Sequence, residues 1–97
     1  MRKKNPQIEE ISPMVLVSWY DAKDGETGWH SLEDIKKERL AICHSIGWMV
    51  YKDKEKTIIM ADYSEFDDEK DGGRHIIIPS GWVKSIAFLD VKRLERN

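Results

Sequence analysis

The sequence predicts a mainly β fold, a small five-stranded antiparallel barrel that carries one short helix. Residues 14–20 are rich in β-branched and aromatic side chains, which is typical of a strand. Residues 42–51 alternate between two sets of side chains and are long enough to form a bent strand. Residues 74–91 contain a strand, a tight corner at Pro79 and a second strand that leaves in a new direction. Short strands joined by sharp corners are typical of small barrels.

Length and composition indicate a single domain. The chain has 97 residues, of which 40% are hydrophobic and 35% are charged. Domains of about this size are common. Residues 1–12 lack periodicity and contain Pro6, so we expect a flexible N-terminal arm there. We predict the barrel domain over residues 13–91 and a short charged tail over residues 92–97.

The one predicted helix covers residues 31–40. Ser31 can cap its N-terminus, and Asp34 three residues later completes the start signal. Leu32, Ile35 and Leu40 fall on one face of this helix. Because so short a helix is marginally stable alone, we expect this face to pack against the rest of the domain.

The other strands are predicted over residues 42–51, 57–61, 75–78 and 82–89, with a charged hairpin turn at residues 52–56. The strand over residues 42–51 is expected to bend at Gly47. One of its two alternating sets is expected to face the core: Ile42, His44, Ile46, Trp48 and Val50. Trp19 and Trp48 are expected to be mostly buried. Residues 62–73 hold six carboxylates against Lys70, a net charge of −5, and are predicted to be a mobile loop.

The segment that joins the last two predicted strands, Ile78-Pro79-Ser80-Gly81-Trp82-Val83, is similar to the Ile-Pro-Ser-Asn-Tyr-Val run of SH3 domains. Residues 17–22 and 47–49 are weaker matches to the opening aromatic-acidic motif and the tryptophan strand of that family. The resemblance implies an SH3-like barrel in which Pro79 and Trp82 lie on a groove for an extended peptide. Tyr20 and Trp29 would extend this aromatic surface. Alternatively, Trp82 covers one end of the barrel and Pro79 only sets the corner.

A second resemblance is to small uncharacterised proteins of tailed phages and prophages. It rests on Ser45-Ile46-Gly47-Trp48 and on Ile78-Pro79 followed by Val83, Ile86 and Leu89. This resemblance implies a phage origin, and hence the host cytoplasm, but no mechanism.

No catalytic, cofactor or metal site is predicted. Cys43 and His44 are adjacent, so on a strand they point to opposite faces. The acidic run at residues 67–72 fails as an EF-hand, because position twelve of that loop would be Ile78 where a glutamate is needed. We therefore do not expect an enzyme, and we expect no cofactor.

The function that we predict is that of a noncatalytic protein-interaction module, such as a phage accessory factor that acts on a host protein, with a protein partner that the sequence does not identify. The net charge of −2 disfavours nucleic-acid binding, which usually needs a basic excess. No apolar run approaches the ~20 residues that span a membrane. A single cysteine fits a cytoplasmic protein. Two alternatives stay open, a barrel that binds single-stranded nucleic acid through stacking aromatics and a structural homo-oligomer built on exposed strand edges.

Overall fold

A computed structural model of the protein describes residues 13–90. The predicted N-terminal arm at residues 1–12 and the charged tail at residues 92–97 lie outside this range. The elements, in chain order, are β1 (Met14–Asp21), α1 (Leu32–Lys36), β2 (Ala41–Lys52), β3 (Lys56–Phe66), β4 (Glu69–Pro79), a 3-10 helix (Ser80–Trp82) and β5 (Val83–Phe88). Each predicted strand is present, and four of them are longer at one end or both than the sequence predicts.

The five strands form one sheet in the order β4-β3-β2-β1-β5, and every neighbouring pair is antiparallel. The mainly β prediction with one short helix is therefore confirmed. The barrel, however, is not closed. Within residues 13–90, β4 and β5 are the two edges of the sheet and do not pair with each other. The 3-10 helix carries the chain from one edge across to the other, where β5 returns beside β1.

The core lies on one face of this sheet, which we call the inner face. Val15 and Val17 of β1, Ile59 of β3 and Ile78 of β4 form its buried cluster. Four partly buried side chains pack against that cluster, namely Trp19, Met49, Val83 and Ile86. The register explains the grouping, because directly paired residues share a face and side chains alternate along each strand.

The predicted orientation of β2 is wrong. Ile42, Ile46 and Val50, which were expected in the core, are all exposed. Val15 pairs with Gly47 and Val17 pairs with Ser45, so small residues of β2 lie opposite the core valines. The large isoleucines therefore project from the opposite face, which we call the outer face. The alternation correctly divided the residues of β2 into two sets. Both sets contain apolar residues, however, and hydrophobicity alone assigned the wrong set to the core.

The helix is also shorter and less buried than predicted. The Ser31 cap is confirmed, since its hydroxyl accepts a hydrogen bond from the backbone amide of Asp34 at 3.1 Å. The helix ends at Lys36, and Leu32 and Ile35 are 73% and 51% exposed. Leu40 lies beyond its end and is 60% exposed. The packing that we expected for this apolar face is not formed within residues 13–90.

Residues 61–74 form the outer part of the β3–β4 hairpin, which we call the hairpin arm, and not the predicted loop. Asp67 and Asp68 connect the strands with φ angles of 48° and 68°. Two consecutive positive φ angles are the geometry of a type I′ turn, which matches strand twist and which aspartate tolerates better than most residues. Beside the turn, Lys70 lies opposite Glu65, with the charged groups 3.9 Å apart. Four of the six carboxylates, those of Asp62, Glu65, Glu69 and Asp71, are thus held on paired strands.

Gly47 is required by a close approach between β2 and β3. A Cβ atom at this position would lie 2.6 Å from the backbone oxygen of Met60, closer than van der Waals contact allows. The register of the β2–β3 pair shifts between Met49 and Tyr51, a little beyond the bend predicted at Gly47. Trp19 and Trp48 are both partly buried.

Candidate functional site

The clearest concave surface near the predicted site is an open groove between β5 and the turn that joins β2 to β3. Its volume is about 650 Å³. Its lining comes from two segments that are distant in sequence: the turn, with Lys52, Asp53 and Lys54, and the corner that leads into β5, with Ser80, Val83 and Ile86. We call this surface the β5 groove.

Asp53 builds the turn that forms one wall of the β5 groove. Its Oδ1 accepts hydrogen bonds from the backbone amides of Glu55 and Lys56 at 2.9 and 2.8 Å. Its Oδ2 accepts one from the hydroxyl of Tyr51 at 2.8 Å. The backbone amide of Lys56, followed by the Tyr51 hydroxyl, holds the pKa of the Asp53 carboxyl below its usual range. The same contact with the Asp53 carboxylate raises the pKa of Tyr51.

Ser80 joins the 3-10 helix to this turn. Its Oγ donates to the backbone oxygen of Asp53 at 2.7 Å, and its amide donates to the backbone oxygen of Glu55 at 2.9 Å. Thr57, which is fully buried, lies 2.9 Å from the same hydroxyl. Since the Ser80 proton is used on Asp53, the Thr57 hydroxyl donates to Ser80. These bonds fix the wall of the groove relative to the core.

The apolar floor of the groove depends on an irregularity in β5. Val17 pairs with Ile86 and Trp19 pairs with Val83, and the register shifts between Ser18 and Trp19. One extra residue of β5, Lys84, is accommodated in this shift. Val83 and Ile86 can therefore share the inner face although they are three residues apart. Regular alternation would place them on opposite faces.

The groove combines this floor with cations. Lys52 and Lys54 are both exposed on the wall, and together they outweigh the single charge of the Asp53 carboxylate between them, which is held in the turn by its hydrogen bonds. The groove can therefore accept aliphatic or aromatic side chains on Val83 and Ile86 while it attracts acidic groups at its margin.

Pro79 and Trp82, the central residues of the predicted site, lie at the corner after β4, where Pro79 directly precedes the 3-10 helix and Trp82 is its last residue. Pro79 is exposed, and Trp82 is 44% exposed and lies outside the buried core cluster. Trp82 also directly precedes Val83 of the groove floor. Neither side chain lines the β5 groove, although their neighbours in the chain, Ser80 and Val83, do.

Tyr20 and Trp29, the other two predicted site residues, are not at the groove. Tyr20 follows Trp19 on β1 and so points to the outer face, where the Lys84 ammonium lies 6.0 Å from the centre of its ring. Trp29 lies between β1 and α1, and its side chain is fully exposed. The structure does not bring these four aromatic and proline residues into one surface.

Sequence reasoning missed Asp53, Ser80 and Ile86 as residues that shape the site. A local signal existed for Asp53, because aspartate often bonds the backbone two residues later in turns. No local signal marked Ser80, since its partners belong to a turn more than twenty residues earlier in the chain.

The residues that the sequence set aside as catalytic or metal-binding candidates are separated in the structure. Cys43 lies opposite Trp19, and His44 lies opposite Ser18 on the other face of the sheet. Among residues 13–90, no group of three or more His, Cys, Asp or Glu side chains is placed to hold a metal ion. In the same part of the chain, no helix has the length and apolar character needed to cross a membrane.

Comparisons of the chain with protein-family models, curated proteins and solved structures give no match.

Proposed function

We propose that this protein is a noncatalytic protein-interaction module whose β5 groove receives an extended segment of a partner protein. The observation that supports this best is the open groove of about 650 Å³, with an apolar floor at Val83 and Ile86 and with Lys52 and Lys54 on its wall. Such a surface favours a segment that carries both apolar and acidic side chains.

An extended partner is favoured by the position of β5 in the sheet. This strand pairs with β1 on one side and is an edge strand within residues 13–90. An edge strand offers backbone donors and acceptors to an added strand, and side-chain pockets beside it give the added strand its specificity. Val83 and Ile86 provide such a pocket.

Trp82 is the residue that we expect to contribute most to binding affinity. It is a half-exposed tryptophan that directly precedes Val83 of the groove floor in the chain, and tryptophan is enriched among residues that dominate binding energies. Pro79 restricts the backbone before it and keeps the corner rigid. Together they support a preformed site that needs little ordering when it binds.

We further propose that the sheet is an SH3-like barrel that stays open between β4 and β5. Support comes from β5 returning beside β1 and from the 3-10 helix at the segment that resembles SH3 domains. The resemblance to small phage proteins supports a role as a phage accessory factor that acts on a host protein.

Selection from a displayed library of random peptides tests the groove proposal directly. We expect the selected peptides to combine Asp or Glu with large apolar residues. Trp82→Ala should weaken their binding by roughly 30-fold, the typical loss at a dominant interface residue, while urea unfolding stays cooperative. Ser80→Ala should also weaken binding, because it releases the groove wall from the 3-10 helix.

Charge substitutions supply the matched control. Lys54→Glu reverses a charge on the groove wall, and Lys37→Glu makes the same change at the end of α1. The first should weaken binding of the selected peptides severalfold and the second should not. Equal effects of the two variants, or selection of basic peptides, would overturn the proposal.

Binding of a labelled oligothymidine separates the nucleic-acid alternative from the peptide-binding proposal. Lys84 over Tyr20 and Lys56 over Tyr51 each place a cation on an exposed ring, the pairing that single-stranded nucleic acid exploits. Oligothymidine binding that falls steeply with salt, together with no selected peptide, would replace the proposed function by this alternative.

A further inference from the structure

The backbone of β5 alternates between groups that pair with β1 and groups that point away from it. The amide of Leu89 donates to the backbone oxygen of Met14 at 2.8 Å. This bond continues the register that pairs Val15 with Phe88. Hydrogen-bonded and non-hydrogen-bonded pairs alternate along an antiparallel ladder. The backbone amides and carbonyls of Ile86 and Phe88 therefore face away from β1.

The pairing of β1 with β2 has the same phase. On that side the amide of Met49 donates to the backbone oxygen of Pro13 at 2.8 Å. Pro13 and Met14 are neighbours, so successive residues of β1 turn their backbone groups to β2 and to β5 in alternation, as an antiparallel sheet requires. Within residues 13–90, β5 is an edge of the sheet, so no strand of the described chain pairs with Ile86 and Phe88 on their other side.

The side chains of Ile86 and Phe88 lie on the inner face. Ile86 pairs with Val17, and Phe88 pairs with Val15, and both valines belong to the buried core cluster. Ile86 packs against that cluster, whereas Phe88 is 67% exposed. A strand added at this edge would pair its backbone at Ile86 and Phe88. The side chains opposite them would lie on the face that carries the β5 groove.

The opposite edge of the sheet, on β4, is less suited to an added strand. Arg74 has a φ angle of 47°, which interrupts the extended backbone. Pro79 at the end of β4 has no amide hydrogen to donate. Such irregularities protect an edge strand from pairing with another chain.

The cations of the groove stand at the amino end of β5. Ser80, which precedes β5, donates two hydrogen bonds to backbone oxygens of the β2–β3 turn. Lys52 and Lys54 of this turn are therefore held near the start of β5, while Phe88 is at its carboxyl end. A segment that lies along β5 thus meets positive charge at one end and an aromatic ring at the other.

On the basis of the function proposed above, we propose that the partner segment binds as a strand antiparallel to β5, with its apolar residues before its acidic residue in the sequence. Every neighbouring pair in this sheet is antiparallel, and such pairs are slightly more stable per residue than parallel ones. In this direction the carboxyl end of the segment reaches the amino end of β5, where Lys52 and Lys54 attract a carboxylate.

The peptides selected from the displayed random library test this direction. They should carry Asp or Glu on the carboxyl side of their large apolar residues. One selected peptide is then synthesised with both ends capped, together with a capped peptide of the reversed sequence. The two have the same composition and charge, so they differ only in direction. The reversed peptide should bind about 10-fold more weakly, since it cannot satisfy the groove floor and the cations together.

Backbone pairing is tested by N-methylation of the selected peptide at one amide at a time. Amides that face β5 alternate with amides that face away, so affinity should fall severalfold at every second position and change little between them. On the protein, binding of the peptide should slow hydrogen exchange of the Ile86 and Phe88 amides. Exchange of the Ala87 amide should stay unchanged, because its phase directs it to β1.

A matched pair of variants tests the aromatic end of the strand. Phe88→Ala should weaken binding of the selected peptide severalfold, because it removes the side chain beside the added strand. Phe66→Ala makes the same change at a residue that is 76% exposed on the hairpin arm, and it should bind like the wild type. Urea unfolding of both variants shows that they still fold.

The outcomes separate this strand from the groove itself. Acidic residues on the amino side of the apolar ones, equal affinity of the two capped peptides, or unchanged exchange at Ile86 and Phe88 would each rule out the antiparallel strand. The proposed function would stand in those cases, provided that the selected peptides are acidic and apolar and that Lys54→Glu weakens their binding. Selection of no such peptide would rule out both.

Discussion

The inner and outer faces of the sheet are built from the same strands, yet they have opposite surroundings. Val15, Val17 and Ile78 on the inner face are at most 1% exposed, whereas Ile46 and Ile77 on the outer face are 60% and 56% exposed. Both faces carry aliphatic side chains, so hydrophobicity does not distinguish them. The two faces are distinguished instead by their position on the curved sheet, because residues of β1, β3 and β4 meet in one buried cluster on the concave face.

Neighbouring isoleucines on β4 give the largest expected contrast between the faces. Ile78→Ala should lower the free energy of unfolding by about 2–5 kcal/mol, because it opens a cavity in the core. Ile77→Ala removes the same atoms from the exposed side and should cost less than about 1 kcal/mol. Urea unfolding measures both. Equal losses would mean that the outer face is packed as tightly as the core.

The position of each strand could be predicted from the sequence, because β-branched runs and turn residues mark them locally. Which face of β2 points to the core could not be predicted, because the core side carries residues as small as Gly47 and Ser45 and the other side carries Ile42 and Ile46. That choice depends on the large valines of β1 opposite them, which is a tertiary relation. Similarly, the Asp67-Asp68 turn lacks the glycine that usually marks a type I′ hairpin.

Only the part of the candidate site that lies within one short segment of the chain could be predicted from the sequence. Pro79 and Trp82 were found because they belong to one corner segment. The partners of Ser80 at the β2–β3 turn come from contacts between distant segments, and Lys54 and Val83 meet at the groove only through the return of β5 beside β1.

Acidification gives a smaller effect and tests the turn that supports the groove. The pKa of Asp53 is lower in the folded protein than in the unfolded chain, so its contribution to stability is complete above the ordinary aspartate pKa of about 3.9. That contribution is lost as the pH falls through the lower folded-state pKa. Between about pH 6 and about pH 3, Asp53→Asn should therefore lose less of its urea midpoint than the wild type.

Asp24→Asn, in the exposed loop before α1, is the control for this experiment. It should follow the wild-type curve. The prediction fails if Asp53→Asn follows the wild-type curve as well.

The hairpin arm offers the smallest expected effect, because none of its residues belongs to the buried core cluster. Arg74 Nε and Nη2 both donate to the Asp62 carboxylate, which lowers the pKa of that carboxyl. Both side chains are exposed, so solvent weakens the pair. Asp62→Asn should leave the global urea midpoint unchanged and accelerate amide exchange only in residues 61–74. A lower global midpoint would show that the arm unfolds together with the sheet.

The return of β5 beside β1 also bears on how fast the chain can fold. The hairpins β2–β3 and β3–β4 join segments that are close in sequence, whereas Val17 pairs with Ile86 across most of the described chain. Contacts between such distant segments carry the largest entropy cost and limit the folding rate. Val83 and Ile86 lie on this last strand, so the β5 groove exists only in fully folded molecules. A partner in the groove would therefore bind the native state alone, and its concentration would raise the apparent melting temperature of the whole domain.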